Sequence, residues 1–266
     1  MIQKSLHSVT RLLVRSGMLL VVAAALGCAT TPDLQTEIDH DKKARVHYNA
    51  GIEHMRQGKL ALGIRELRTA LQISPRDPWI HWALAEAYRQ KGRLEDAESH
   101  LLTALEIRPD FQQARLNLSA LYVQLGRYEE AIELTDTLLD DPTFPVPWKA
   151  LTNRGWAEYE LGQSRNARES FEAALEYDEK HWRSFLALGI LDEEAGDRVE
   201  ALERFEQVIA LEPGPLVEAE ANYRIGEIYI SLGNRQRAVQ HLTAATAKEP
   251  NGDWGKRSED YLQRLR

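Results

Sequence analysis

Apolar and small residues along this chain follow a pattern typical of helices and a second, longer period. Ala, Leu, Glu and Arg dominate, and the runs of Val, Ile or Thr that favour strands are missing. Small residues return every 34 positions, at Gly51, Ala85 and Ser119, and in the same frame at Gly63, Ala97 and Ala131. The pattern predicts an all-α chain made of one repeated unit.

A period of 34 with small residues at fixed places resembles the tetratricopeptide repeat family, in which each unit is a pair of antiparallel helices that cross closely. The second unit carries the pattern most fully, with Leu84, Ala85, Tyr88, Gly92, Ala97, Leu101, Ala104 and Pro109 in order. We expect Tyr88 and Leu101 to pack inside, Gly92 to turn the chain and Pro109 to end the second helix. The resemblance implies a right-handed α-solenoid.

The array is predicted to contain six units between residues 44 and 252. Their bounds are 44–77, 78–111, 112–145, 148–181, 182–215 and 219–252. The frame shifts near Pro142–Pro147 and again near Pro213–Leu216, both between units, where loops tolerate extra residues. Residues 253–266 are predicted to form a capping helix, with apolar side chains available to cover the last hairpin at Trp254, Tyr261, Leu262 and Leu265.

The N-terminus is typical of a secreted protein. Residues 1–27 have a basic start and the apolar stretch GMLLVVAAAL, as in a signal peptide, and they end in Ala25-Leu26-Gly27 before Cys28, the single cysteine. This end resembles the bacterial lipobox, which implies a covalent lipid on Cys28 and no other cofactor. Residues 28–43 are polar and are expected to form a flexible tether. The alternatives are an ordinary signal peptide that leaves a free thiol, or an uncleaved helix.

Ala29 follows the lipidated position, where an aspartate would resemble an inner-membrane retention signal. The resemblance therefore implies a lipid anchor on the periplasmic face of the outer membrane. With two or three acyl chains, such an anchor would be stable.

Charge and motifs exclude several classes of function. The net charge is −8 and no cluster of Lys and Arg is interleaved with aromatic residues, so nucleic acid is not expected as a partner. No phosphate-binding loop, nucleophile elbow or Ser/His/Asp context is found, and neither catalysis nor a small-molecule substrate is expected. His47 and His54 lie seven residues apart, which fits a surface or partly packed pair better than a metal site.

In tetratricopeptide folds the first helix of each pair lines the inner face of the array. The places that face inward predict a partner-binding groove of Tyr48, Ile52, Met55, Trp79, Trp82, Leu116, Val123, Trp156 and Tyr159, continued in later units by Leu186, Ile190 and Tyr223. An exposed apolar patch of this kind usually binds protein. Alternatively, many of these side chains contact neighbouring hairpins and belong to the core.

A lipobox followed by six such units resembles the type IV pilus biogenesis and stability lipoproteins, the PilF/PilW/Tgl-type secretin pilotins. That family carries an Asp-x-x-aromatic-Pro loop between units three and four and then an Asn-x-Gly, and this chain has Asp141, Phe144 and Pro145, followed by Asn153 and Gly155. The resemblance implies a scaffold that binds secretin subunits in the periplasm and promotes their assembly. The alternative is a periplasmic adaptor lipoprotein for another cell-envelope complex.

Overall fold

A computed structural model describes residues 34–265, and for residues 34–40 it describes the backbone alone. The predicted signal peptide, the lipidation site at Cys28 and the sorting residue Ala29 lie outside the described residues. Residues 34–265 contain thirteen α-helices and no strand. The helices are α1 Leu34–Arg56, α2 Leu60–Ile73, α3 Pro78–Gln90, α4 Leu94–Ile107, α5 Gln112–Gln124, α6 Tyr128–Leu139, α7 Pro147–Glu160, α8 Ser164–Tyr177, α9 Trp182–Ala195, α10 Arg198–Ala210, α11 Pro215–Ser231, α12 Arg235–Lys248 and α13 Asp253–Arg264.

The helices stack as six hairpins, from α1–α2 to α11–α12, in an α-solenoid. The two helices of each hairpin pack along their length, and each second helix also contacts the first helix of the next hairpin. First helices of successive units contact one another from α1 to α9, which builds one continuous face of the array. The predicted all-α solenoid is confirmed, and within the described residues no helix has the length and apolarity needed to cross a bilayer.

The turn inside every hairpin is built in the same way. A glycine with φ between 71° and 85° follows the first helix of each unit, at Gly58, Gly92, Gly126, Gly162, Gly196 and Gly233. Left-handed backbone of this kind carries no steric penalty for glycine. The predicted role of Gly92 is confirmed, and α4 ends at Ile107, two residues before Pro109.

Small residues lie where the two helices of a hairpin cross, as predicted. A Cβ atom on Gly51 would come within 2.6 Å of Leu67 Cγ, and one on Gly155 within 2.6 Å of Phe171 Cε1. Any larger side chain would push the two helices apart.

The core runs along the array in clusters. The largest cluster joins units one to three and includes Tyr88 and Leu101, which are 7% and 2% exposed. The last hairpin is covered by α13, whose Trp254, Tyr261 and Leu262 pack against the cluster around Leu242. The predicted capping helix is therefore present and packs as expected.

The prediction of a flexible tether over residues 28–43 is wrong from residue 34 onwards, because α1 begins at Leu34. Residues 34–43 contain no Gly or Pro and are rich in residues that tolerate a helix. Ala44 is only 3% exposed and packs this helix into the first core cluster. An apolar period is therefore not required for a helix to extend beyond the packed hairpin.

The two insertions between units are ordered. In the first, Phe144 is 6% exposed and packs against Leu138 and Ala150. Gln112 donates a hydrogen bond to the Asp141 carboxylate across 2.5 Å, which ties the loop to the start of unit three. In the second, Pro215 begins α11, so the extra residues form the first turn of that helix.

Candidate partner-binding groove

A pocket of about 1140 Å³ lies between α1 and the start of α3. The aromatic side chains of Tyr48 and Trp79 line it, together with Ala44, Ile80 and the loop that precedes α3. Both charge signs border it, with Arg45 and Arg76 against Asp41 and Asp77. Two of the predicted groove residues therefore share a cavity large enough for several side chains of a partner.

Trp79 is the exposed aromatic residue of this region, with 39% of its surface accessible. It contacts Trp82 edge to face at 5.9 Å between ring centroids and Phe111 at 4.6 Å. The guanidinium of Arg108 lies over Phe111 at 3.6 Å and over Trp79 at 5.0 Å. These contacts hold the Trp79 ring in a fixed orientation while one side stays accessible, as in an interface anchor.

Trp82 has a different environment from Trp79. It is partly buried against the first core cluster, and its indole Nε1 is buried without a hydrogen-bond partner among the described residues. An indole N–H usually has a partner when it is buried, so this atom is costly unless a bound group satisfies it.

The remaining predicted groove residues divide between groove and core. Ile52, Met55 and Val123 are partly buried and pack against the first core cluster. Leu116 packs beside Phe144 and lines a second pocket, whereas Trp156 lines a third. In the later units the core alternative is correct, because the residues at the corresponding places are buried: Leu186, Ile190 and Tyr223.

Tyr159 contacts Trp156 edge to face, with 5.6 Å between ring centroids. Its hydroxyl donates to the Glu194 carboxylate across 2.5 Å. Burial, that hydrogen bond and the negative charge raise the pKa of Tyr159 to about 12. Tyr159 therefore stays protonated at neutral pH and links α7 to α9.

The second pocket, of about 350 Å³, is polar and draws residues from units two to five. Polar and charged side chains line most of it: Glu86, Arg89, Asn117, Lys149, Thr152, Asn153, His181 and Arg183. Asn153 donates to Ser119 Oγ at 2.9 Å and to the Leu116 carbonyl at 3.3 Å, which joins α7 to α5. Sequence reasoning missed this pocket because it selected apolar side chains, although Lys149 and Arg183 occupy the second place of their units.

The third pocket, of about 300 Å³, lies between the first helices of units four to six and the capping helix. Three tryptophans from three helices line it, Trp156, Trp182 and Trp254, with Leu186, Leu216, Val217, Arg183 and Glu220. Leu216 comes from the second insertion and Trp254 from the cap. No repeat position connects them, so the repeat pattern alone gave no signal for this pocket.

Two histidines contact side chains of the other helix in their own hairpin. His47 Nδ1 lies 2.9 Å from Glu66 Oε2, and His81 Nδ1 lies 2.9 Å from His100 Nδ1. Burial, followed by the nearby His81, lowers the pKa of His100 to about 4. Within residues 34–265 no group of three or more potential ligands is placed to hold a metal ion.

A solenoid of helical hairpins with pockets along its inner face defines a repeat scaffold. A tetratricopeptide repeat sequence model matches residues 54–111, 89–154 and 192–256, and a second one matches residues 152–197. The chain belongs to the tetratricopeptide repeat family. Neither model describes an enzyme, and proteins of this fold typically bind other proteins. No curated protein matches the chain.

Several solved structures share the fold at low sequence identity. One is PilW, described as a widely conserved type IV pilus biogenesis factor, with a TM-score of 0.70, 23% identity, and coverage of 80% of this chain and 96% of PilW. PilF of Pseudomonas aeruginosa gives a TM-score of 0.69, 17% identity, and coverage of 84% and 99%. A tetratricopeptide repeat protein from Parabacteroides merdae gives 0.68, 22%, 99% and 96%. The likeness shows the fold of this chain.

Proposed function

We propose that this protein is an outer-membrane lipoprotein that acts as a secretin pilotin and promotes type IV pilus biogenesis. The observation that carries the proposal is the match to PilW, a type IV pilus biogenesis factor, over 80% of this chain and 96% of that one. The sequence resemblance depends on the Asp141–Pro145 loop and on Asn153. In this structure, both lie where units three and four are connected.

The first pocket is the proposed contact for secretin subunits. It lies between α1 and α3, where Tyr48 and the accessible face of Trp79 form an aromatic wall. A lipid on Cys28 would keep this end of the array near the membrane and raise the local concentration of a bound client. Protein binding with no catalysis remains the expectation from the sequence.

The assembly role is tested by deleting the gene and separating secretin monomers from multimers on gels. We expect monomers to accumulate and multimers to be depleted, with recovery on complementation. Normal multimers would overturn the pilotin role. Replacement by Cys28→Ser tests the anchor, since it should release the protein from the outer-membrane fraction and abolish labelling with radioactive palmitate.

The first pocket is tested by Trp79→Ala combined with Tyr48→Ala in a pull-down of secretin subunits. Trp82→Ala is a poor choice for this purpose because Trp82 is not among the residues that line this pocket. A suitable control is Tyr177→Ala, since Tyr177 is a large, 61% exposed aromatic residue on a second helix. Binding lost in the control as well, or retained in the pocket variant, would argue against this pocket.

The second candidate is a periplasmic adaptor for another cell-envelope complex. It is favoured by the match to the Parabacteroides merdae protein, which covers 99% of this chain at nearly the same TM-score as PilW. Normal secretin multimers in the deletion strain, together with membrane-anchored protein, would support this adaptor.

A further inference from the structure

The second and third pockets are adjacent parts of one groove with opposite chemistry. Arg183 lines both, so the polar stretch and the three tryptophans meet at this side chain. The lining of the inner face therefore changes from polar to aromatic next to Arg183.

The polar stretch carries positive charge in a protein that is acidic as a whole. The net charge of the chain is −8, yet Lys149 and Arg183 form no ion pair among the described residues. The third cation, Arg89, is already neutralised by Glu86 at 2.8 Å. Two uncompensated cations therefore face the groove at this point.

His181 lines the same pocket as these cations. Its Nδ1 is 3.0 Å from Ser184 Oγ and 3.2 Å from Thr152 Oγ1. Burial lowers the pKa of His181, the nearby Asp178 carboxylate raises it, and Arg183 and Lys149 both lower it, with a net lowering. His181 is therefore neutral at pH 7, and the two cations act on the same small volume. An anionic group that entered the pocket would be attracted by both.

The aromatic stretch offers an apolar surface beside this charge. Leu216 is 58% exposed at its edge, and Arg183 lies 4.8 Å from the centre of the Trp182 ring. Fixed aromatic walls of this kind hold a large apolar side chain at low entropic cost.

We propose that the groove from unit three to the capping helix binds an extended peptide segment that carries an internal acidic side chain beside a large apolar one. The carboxylate lies between Lys149 and Arg183, and the apolar side chain lies among Trp156, Trp182 and Trp254. The acidic residue is internal because the polar stretch continues directly into the aromatic one and is not a closed end. The inference rests on the proposed role as a protein-binding scaffold and specifies a second contact, separate from the first pocket.

The test uses the purified full-length protein and fluorescein-labelled peptides that are acetylated and amidated at their ends. Each peptide has a Gly-Ser background with one Asp and one Phe, separated by zero to four residues. We expect at least one spacing to bind by fluorescence anisotropy. In that peptide, Asp→Asn or Phe→Ser should weaken binding about tenfold, which corresponds to about 1.4 kcal/mol.

Protein variants assign each peptide side chain to its pocket. Lys149→Ala with Arg183→Ala should weaken the Asp peptide to the level of the Asn peptide, with no further effect on the Asn peptide. Trp182→Ala should remove the preference for Phe. The matched control is Lys180→Ala with Arg235→Ala, which removes the same charge from exposed positions outside the three pockets. Circular dichroism confirms that each variant is folded.

Several results would overturn the proposal. They are a failure of all spacings to bind at 1 mM, equal binding of Asp and Asn peptides, or equal weakening by the control variant. The peptide experiment contains no secretin, so it succeeds or fails independently of the secretin multimers in the deletion strain.

Discussion

The first three hairpins and the last three are stabilised in different ways. One large apolar cluster runs through units one to three, with a small one at the joint to unit four, whereas units four to six contain three smaller clusters. Buried carboxylates occur in the later units, where Glu158, Asp192 and Glu218 are 2%, 3% and 6% exposed. Among the described residues of units one to three, no carboxylate is buried to this degree.

The difference matters because the two kinds of contact respond to different conditions. Apolar burial is non-directional, while a buried ion pair requires a defined geometry. Asp192 in α9 contacts Arg168 from α8 at 2.7 Å and Arg204 from α10 at 3.9 Å. The C-terminal half is therefore fixed in register by charge, and the N-terminal half by a continuous core.

The largest effect is expected from removing both cations around Asp192. Arg168→Ala with Arg204→Ala leaves the carboxylate buried without a counter-charge, which should reduce the free energy of unfolding by about 3–5 kcal/mol. Urea unfolding measures the loss, and hydrogen exchange should show it in units four to six with units one to three unchanged. A uniform loss along the array would contradict the division into two halves.

A smaller effect is expected at the helix crossings. Gly155→Ala places a Cβ 2.6 Å from the Phe171 ring, which also contacts Trp156 and cannot fold away. We expect a net loss of about 1–2 kcal/mol, since overpacking outweighs the helix propensity gained from Ala.

Gly51→Ala provides the matched change in the N-terminal half. Its neighbour Leu67, also at 2.6 Å, is fully buried but smaller than the Phe171 ring, so thermal unfolding should show a smaller loss for Gly51→Ala than for Gly155→Ala. Equal losses at both crossings would show that the character of the neighbour does not matter.

Acid should weaken the N-terminal half through His100. Its pKa is about 4 in the folded protein and about 6.5 when unfolded, so the unfolded state binds more protons between these values and stability falls as pH falls from 6.5 towards 4. Because the ring is partly exposed, we expect this group to contribute about 1–2 kcal/mol. His100→Gln should reduce the pH dependence of urea unfolding by that amount. An unchanged pH dependence would contradict this role for the His81–His100 contact.

The smallest effect is expected from an exposed ion pair of the C-terminal half. Arg165 contacts Glu169 at 3.1 Å, but the two side chains are 90% and 63% exposed. Glu169→Ala should therefore change the melting temperature very little, with a loss below about 0.5 kcal/mol. A large loss would mean that the number of ion pairs, and not their burial, distinguishes the two halves.

The repeat frame could be predicted from the sequence because helix crossings and turns demand particular residues. Gly51 and Gly155 stand where Leu67 and Phe171 approach, and the turn glycines stand where φ is positive. The start of α1 could not be predicted in this way, because residues 34–43 contain no apolar period to mark a helix.

The candidate site was only partly predictable for a related reason. Tyr48 and Trp79 were found because they are apolar residues at inward places, but the third pocket depends on Leu216 and Trp254, which lie outside the repeat frame. Likewise, the contacts of His47 with Glu66 and of His241 with Asn222 join residues 19 apart, a spacing that has meaning only once the hairpin is known.

The uniform glycine turns have a consequence for engineering this array. Every hairpin bends back through the same left-handed glycine, so the turns inside the hairpins are alike. Variation in the spacing between units occurs at two joints, the Asp141–Val146 loop and the first turn of α11, which begins at Pro215. A designer who wishes to widen or narrow the binding face can therefore edit these two joints and transplant the hairpins unchanged.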